Sequence, residues 1–245
     1  MAGFDQVGVN RTLQFKGSAA VKDNVEGNIS TEKHCIVDDF TWLNTGFWTS
    51  TLDGTSDAVA ASAGGVCGLT MTTGTGDNEV SFLGSPLIFD ISNEPIIETV
   101  IDIADVSGTI VYFGFSDANT ETTPAATIDA DSATLAAAAT DACGFVIDAD
   151  LGTSSIYAAY IATGGAVAGV DTGLDWTDGA RKTLRIALDS SGNARFYVDG
   201  VEVAYKATAV TDVPLCAVYN YGTRANDGAN YVYPRRFKAW VNVTA

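Results

Sequence analysis

Between Lys33 and Arg181 the chain has no lysine or arginine, and over its 245 residues 13 basic side chains stand against 30 acidic ones. A net charge of −17 argues against binding phosphate backbones or anionic membranes, since such a surface repels both. The imbalance is uneven. Residues 1–33 hold four basic groups (Arg11, Lys16, Lys22, Lys33) and four acidic ones (Asp5, Asp23, Glu26, Glu32), so the excess lies in the remainder.

Cysteine is scarce, with Cys35, Cys67, Cys143 and Cys216 far apart, and the single histidine is His34. Zinc sites need clustered ligands, and a Ser-His or Cys-His pair needs a histidine near the nucleophile, so both chemistries are disfavoured. The segment His34-Cys35-x-x-Asp38-Asp39 has metal-capable atoms but reads as the start of the folded domain, and the cysteines read as small buried thiols. No apolar run approaches the length of about 18 residues needed to span a bilayer as a helix. MAGFDQVGVNRTLQFKG lacks a basic region followed by an apolar core, so the expectation is synthesis in the cytoplasm without an export signal. Phosphate-binding glycine patterns are absent, and Gly64-Gly65 and Gly74-x-Gly76 read as turns.

What is present is strand. Hydrophobic residues make up 47% and aromatics 10%, enough for a core. Arg181–Leu188 puts Leu184, Ile186 and Leu188 on one face and Thr183 and Arg185 on the other, the alternation of a half-buried strand. Ala194–Val198, Asp199-Gly200 and Val201–Tyr205 follow as a hairpin, because Asp-Gly supplies the positive φ of a tight turn. Ile96–Ile103 and Thr109–Phe115 read as strands about a Val106-Ser-Gly108 turn, the second apolar on both faces and therefore central. Further strands are expected in 58–73, 79–83, 86–91, 143–148, 155–162, 215–221 and 231–243. Thr120–Asp141, with Ala136-Ala-Ala-Ala139, reads as a short helix or a long surface loop. Residues 1–35 show no period and are expected to form an extended arm, with one domain over 36–245.

From Trp176 through Val203, and in Asp39-Phe40, Phe113-Gly-Phe-Ser116 and Phe237–Val243, the chain resembles concanavalin A-like lectin/glucanase domains, laminin-G-like modules included. The resemblance implies an all-β, two-sheet antiparallel jelly-roll sandwich over roughly residues 36–245. In overall character, with its neutral arm, Gly/Ala/Thr-rich sandwich and strong acidity, the chain also resembles structural virion proteins of tailed bacteriophages. That second resemblance implies a capsid decoration or cement protein on the outer capsid surface. It would be a homo-oligomer bound to capsid subunits through Phe4, Val7, Val9, Leu13 and Phe15 of the arm.

Glycosidases resembling this fold carry acidic residues at alternate positions of one strand, E-x-D-x-(x)-E, with two carboxylates flanking the sugar bond. The nearest match, Glu98-Thr-Val-Ile-Asp102-Ile-Ala-Asp105, is spaced too widely and lacks the last glutamate; Asp105 falls on the opposite face from Glu98 and Asp102. The chain is therefore expected not to be an enzyme, with no catalytic residue and no metal site. Calcium is the one cofactor alternative, through Asp129-Ala-Asp131, Asp148-Ala-Asp150 or Asp175-x-x-Asp178. Two functional alternatives stay open. One is a carbohydrate-binding adhesin using Trp42, Trp48, Trp176, Trp240 or the tyrosines at 219, 221, 231 and 233. The other is a divergent glycoside hydrolase.

Overall fold

A computed structural model describes residues 4–7, 12–15, 33–53, 58–61, 68–73, 79–120, 126–152, 154–224 and 231–242. The alternating segments assemble into two large antiparallel sheets. One runs in the order β14 (Ala168–Asp175), β13 (Ser155–Ile161), β12 (Ala142–Asp148), β9 (Thr109–Ser116), β18 (Cys216–Thr223), β7 (Val80–Gly84), β4 (Thr49–Leu52). The other runs β17 (Val201–Lys206), β16 (Ala194–Val198), β15 (Arg181–Leu188), β8 (Ile96–Ile103), β19 (Tyr231–Asn242), β6 (Leu69–Thr72), β5 (Ala58–Ala61). β3 (Lys33–Asp38) pairs with the second half of β19. This is the all-β jelly-roll sandwich that the resemblance implies.

Side chains of one parity from each sheet meet in a single core. Val111, Phe113 and Phe115 of β9 and Phe145 of β12 close on Ile97 and Ile101 of β8, Ile186 of β15 and Phe196 of β16. Each such side chain, fully buried, contributes roughly 1.5–3 kcal/mol. Edge-to-face rings tie the layers together, with Phe145 against Phe196 at 5.5 Å and Trp48 against Phe237 at 5.0 Å between centroids. Two large polar rings of the core are paired: the Tyr219 hydroxyl donates to Thr99 Oγ1 across the sheets (2.8 Å), and Trp48 Nε1–H donates to Asp38 Oδ2 (2.9 Å). Burial raises the Cys216 thiol to about 12 and lifts Cys143 well above the ordinary thiol range, so both are inert fillers.

The Asp199-Gly200 hairpin forms as the sequence implies, with φ of 49° and 82° at its two turn residues. Residues 86–91 do not form a strand. Pro86 carries no N–H, and Asp90 caps a 3-10 turn over Ile91–Asn93 by accepting the Ser92 N–H (2.8 Å). The boundary drawn after residue 35 falls inside β3. Nearer the N-terminus, β1 (Phe4–Val7) and β2 (Thr12–Phe15) pair with each other, placing Phe4 opposite Phe15. Phe4 and Val7 lie on β1, and Leu13 and Phe15 on β2; Val9 lies outside the described residues.

Over its described residues, the stretch expected to be helix or loop holds paired strands. Its described part is a hairpin of β10 (Ile128–Asp131) and β11 (Thr134–Ala137), with Ala136 inside β11. The turn residues Ser132 and Ala133 take φ of 48° and 70°, positions that sequence normally marks with Gly or Asn. That substitution hides the turn.

Candidate functional site

The β10–β11 hairpin lies on the outer face of the seven-stranded sheet, the face turned away from the core. Ile128 and Ala139 are buried there with Tyr112, Val146, Ala159 and Val218, and Leu135 and Ala137 pack against the same cluster. The sheet is contoured to receive this layer. Tyr112 lies over β12, where a Cβ on Gly144 would meet its ring at 2.5 Å, and its hydroxyl donates to the Phe115 carbonyl (2.7 Å).

Three buried polar residues of this face hold the hairpin by its backbone. Thr127 N–H donates to Asn220 Oδ1 (2.7 Å), and Ala130 N–H donates to Asp148 Oδ2 (2.8 Å). Arg224 Nη2 donates to the Ala130 carbonyl. The hairpin thereby obtains from side chains the partners that a neighbouring strand would otherwise give it.

Around Arg224 these contacts make a cluster of carboxylates. Asp148, with no exposed side-chain surface, takes Nη2 at 2.7 Å and Nε at 3.1 Å. Asp129 Oδ2 stands 3.4 Å from Nη2, and Asp150 Oδ2 stands 3.7 Å from Nε. Asp129 and Asp150 keep 26% and 39% of their side-chain surface exposed, so both can be reached from solvent. Burial drives the Asp129 carboxyl up to about 6, against the pull of Arg224 and with the help of the neighbouring Asp148. Such a group stays partly protonated in mildly acidic solution, as a general acid must.

Of the aspartate pairs considered for calcium, both members of Asp148/Asp150 and Asp129 of Asp129/Asp131 thus converge, but on a guanidinium. Among the described residues no group of three or more His, Cys, Asp or Glu side chains is arranged to hold a metal ion. Of the third pair, Asp178 Oδ1 accepts the Val106 N–H (2.9 Å), and Asp175 accepts the Ser155 hydroxyl at 3.4 Å. Arg224 and Asn220 escaped the sequence reading. The available signal was Arg224 itself, the lone cation between Lys206 and Arg235.

The nearest sequence match to a glycosidase strand lies elsewhere. Glu98 and Asp102 share the outer face of the eight-stranded sheet, Glu98 bonded to Arg185 and Asp102 to Arg181 (2.7 Å) and Arg235 (2.9 Å). Burial works to raise the Asp102 carboxyl, but the two guanidiniums outweigh it and hold it below the ordinary range. Asp105 sits beyond the strand, accepting the Ser107 N–H (2.8 Å). Here the carboxylates are engaged structurally. Of the aromatic candidates, Trp48, Trp176, Trp240, Tyr219 and Tyr221 are buried; Trp42 is 69% exposed, and Tyr231, also exposed, stacks on Tyr233 at 6.1 Å.

No protein-family model and no curated protein sequence matches the chain. Solved structures do match its fold. A beta-glucanase from Bacillus licheniformis superposes with a TM-score of 0.60 at 15% identity, over 86% of this chain and 98% of its own. A glycoside hydrolase family 16 endo-glucanase from Bacteroides ovatus gives 0.60 at 14%, over 83% of this chain and 99% of its own. The catalytic domain of an endo-1,3-beta-glucanase (laminarinase) from Thermotoga petrophila gives 0.59 at 12%, over 87% and 99%. The resemblance to virion proteins finds no support among these matches. The expectation that the chain is not an enzyme is overturned by the same neighbours, which share the scaffold and are glycoside hydrolases. This chain has the jelly-roll fold of glucan-cleaving enzymes.

Proposed function

We propose that the chain acts on carbohydrate as a divergent glycoside hydrolase, with its reactive carboxylates gathered at Arg224. The observation that carries this reading is Asp129, a partly exposed carboxyl raised to about 6 that shares one guanidinium with Asp150 on a glucanase-like scaffold. Asp129 donates its proton to the leaving glycosidic oxygen as the C–O bond breaks. Asp150 accepts a proton from the attacking water, whose oxygen bonds to the anomeric carbon. Asp148 fixes Arg224, and Arg224 supplies positive charge beside both carboxylates.

The test is incubation with mixed-linkage β-glucan, laminarin and mucin O-glycans at about pH 5, with new reducing ends counted. The wild-type chain is expected to release sugar from at least one, and Asp129→Asn to lose about 100-fold or more of that rate. No release from any glycan, or equal rates for the two proteins, would count against the reading.

A further inference from the structure

We infer that the site takes the end of a carbohydrate chain rather than its middle, because the hairpin closes the path a long chain would need across the sheet. This inference rests on the carbohydrate-cleaving reading above. An internally cut polysaccharide has to lie along a face and leave it on both sides of the reacting bond. Here the hairpin reaches from β18, where Asn220 holds Thr127, past β12, where Asp148 holds Ala130, to the edge strand β14. At that edge Leu135 lies so close to Gly169 that a Cβ there would meet Leu135 Cδ1 at 2.6 Å. The hairpin therefore spans five neighbouring strands, β18 to β14, and packs an apolar cluster against the sheet beneath it.

What stays reachable is the rim, where Asp129 and Asp150 keep their exposed surface. Under the hairpin root Asn220 is 1% exposed, and its Nδ2 has no partner among the described residues. Arg224 follows four positions on, one residue past the end of β18, so the covered end of the hairpin and its carboxylate rim are joined by one short stretch of chain. A site with one open side and one closed side accommodates a terminal sugar and rejects a continuous strand.

The experiment uses the full chain and follows products over time from mixed-linkage β-glucan, laminarin and short β-glucan oligosaccharides. A parallel set of oligosaccharides has the non-reducing end blocked as a 4,6-benzylidene acetal. The expected result is mono- or disaccharide from the first time point and nearly constant polymer viscosity, with blocked substrates cleaved at least about tenfold more slowly. An early fall in viscosity with a ladder of oligosaccharides, and equal cleavage of blocked substrates, would overturn end selection while leaving the hydrolase reading in place. Absence of release from every substrate would remove the hydrolase reading, and this inference with it.

Discussion

Asp148 and Arg224 grip one residue, Ala130, from opposite sides: the carboxylate takes its N–H, and the guanidinium takes its carbonyl while also bonding the carboxylate. The pair does for the hairpin what a ladder of main-chain bonds does inside a sheet. Its isolation from solvent makes it sensitive to losing either half.

Asp148→Ala should accordingly be among the most damaging single changes. It strands the Ala130 N–H and removes the closest carboxylate from Arg224, which keeps only Asp129 and Asp150 at longer range, and costs about 2–4 kcal/mol. Urea unfolding should show a lower midpoint with little change in slope; a midpoint like that of the wild type would mean that the pair holds nothing in place.

Asp129 gives a pH signature. Its carboxyl is raised from 3.8 to about 6, so between those values the folded chain keeps a proton that the unfolded chain releases. The resulting stabilisation is fully present below 3.8 and is lost as pH rises through about 6. The melting temperature of the wild type minus that of Asp129→Asn should therefore fall between about pH 4 and pH 6 and level off above. A difference that stays flat over this window would remove the raised carboxyl from the account.

Glu98→Gln and Asp102→Asn provide the contrast. These residues are committed to Arg185, Arg181 and Arg235 on the opposite sheet, far in topology from Arg224. Each should leave glycan cleavage within about twofold of wild type, and Asp102→Asn should lower stability by about 1–3 kcal/mol. Loss of cleavage with unchanged stability would relocate the reactive carboxylates to that face.

Gly144→Ala tests the fit beneath the hairpin. The added methyl meets the Tyr112 ring at 2.5 Å and the Phe113 carbonyl at 2.7 Å, and both are held within the sheet. Overpacking of this kind costs about 1–3 kcal/mol, measurable as a lower melting temperature. No change would show that Tyr112 moves freely.

Much of the scaffold was legible because its strands announce themselves locally. Arg181–Leu188 emerges with the bounds read from alternation, and the Asp199-Gly200 turn forms where its two residues say it must. β4 and β14 went unread, since a sheet-edge strand needs little apolar alternation: β14 has no buried residue. The hairpin was illegible for a different reason, its alanines being supported by partners distant in sequence. Asn220 is 93 residues from Thr127, and Asp148 is 18 from Ala130. The candidate site was half visible, as aspartate pairs read for calcium; the guanidinium that gathers them arrives from 76 residues beyond Asp148.

β19 has a consequence for how the molecule is made. It is the latest described strand to be synthesised, yet it lies inside its sheet, with β8 along one side and β6 and β3 sharing the other. On the ribosome, the β15–β16–β17 meander can dock on β8 while β3, β5 and β6 still lack their seat. The nascent sandwich is therefore split down one layer until Asn242 has cleared the exit tunnel, and in that interval the β8 edge has no strand beside it.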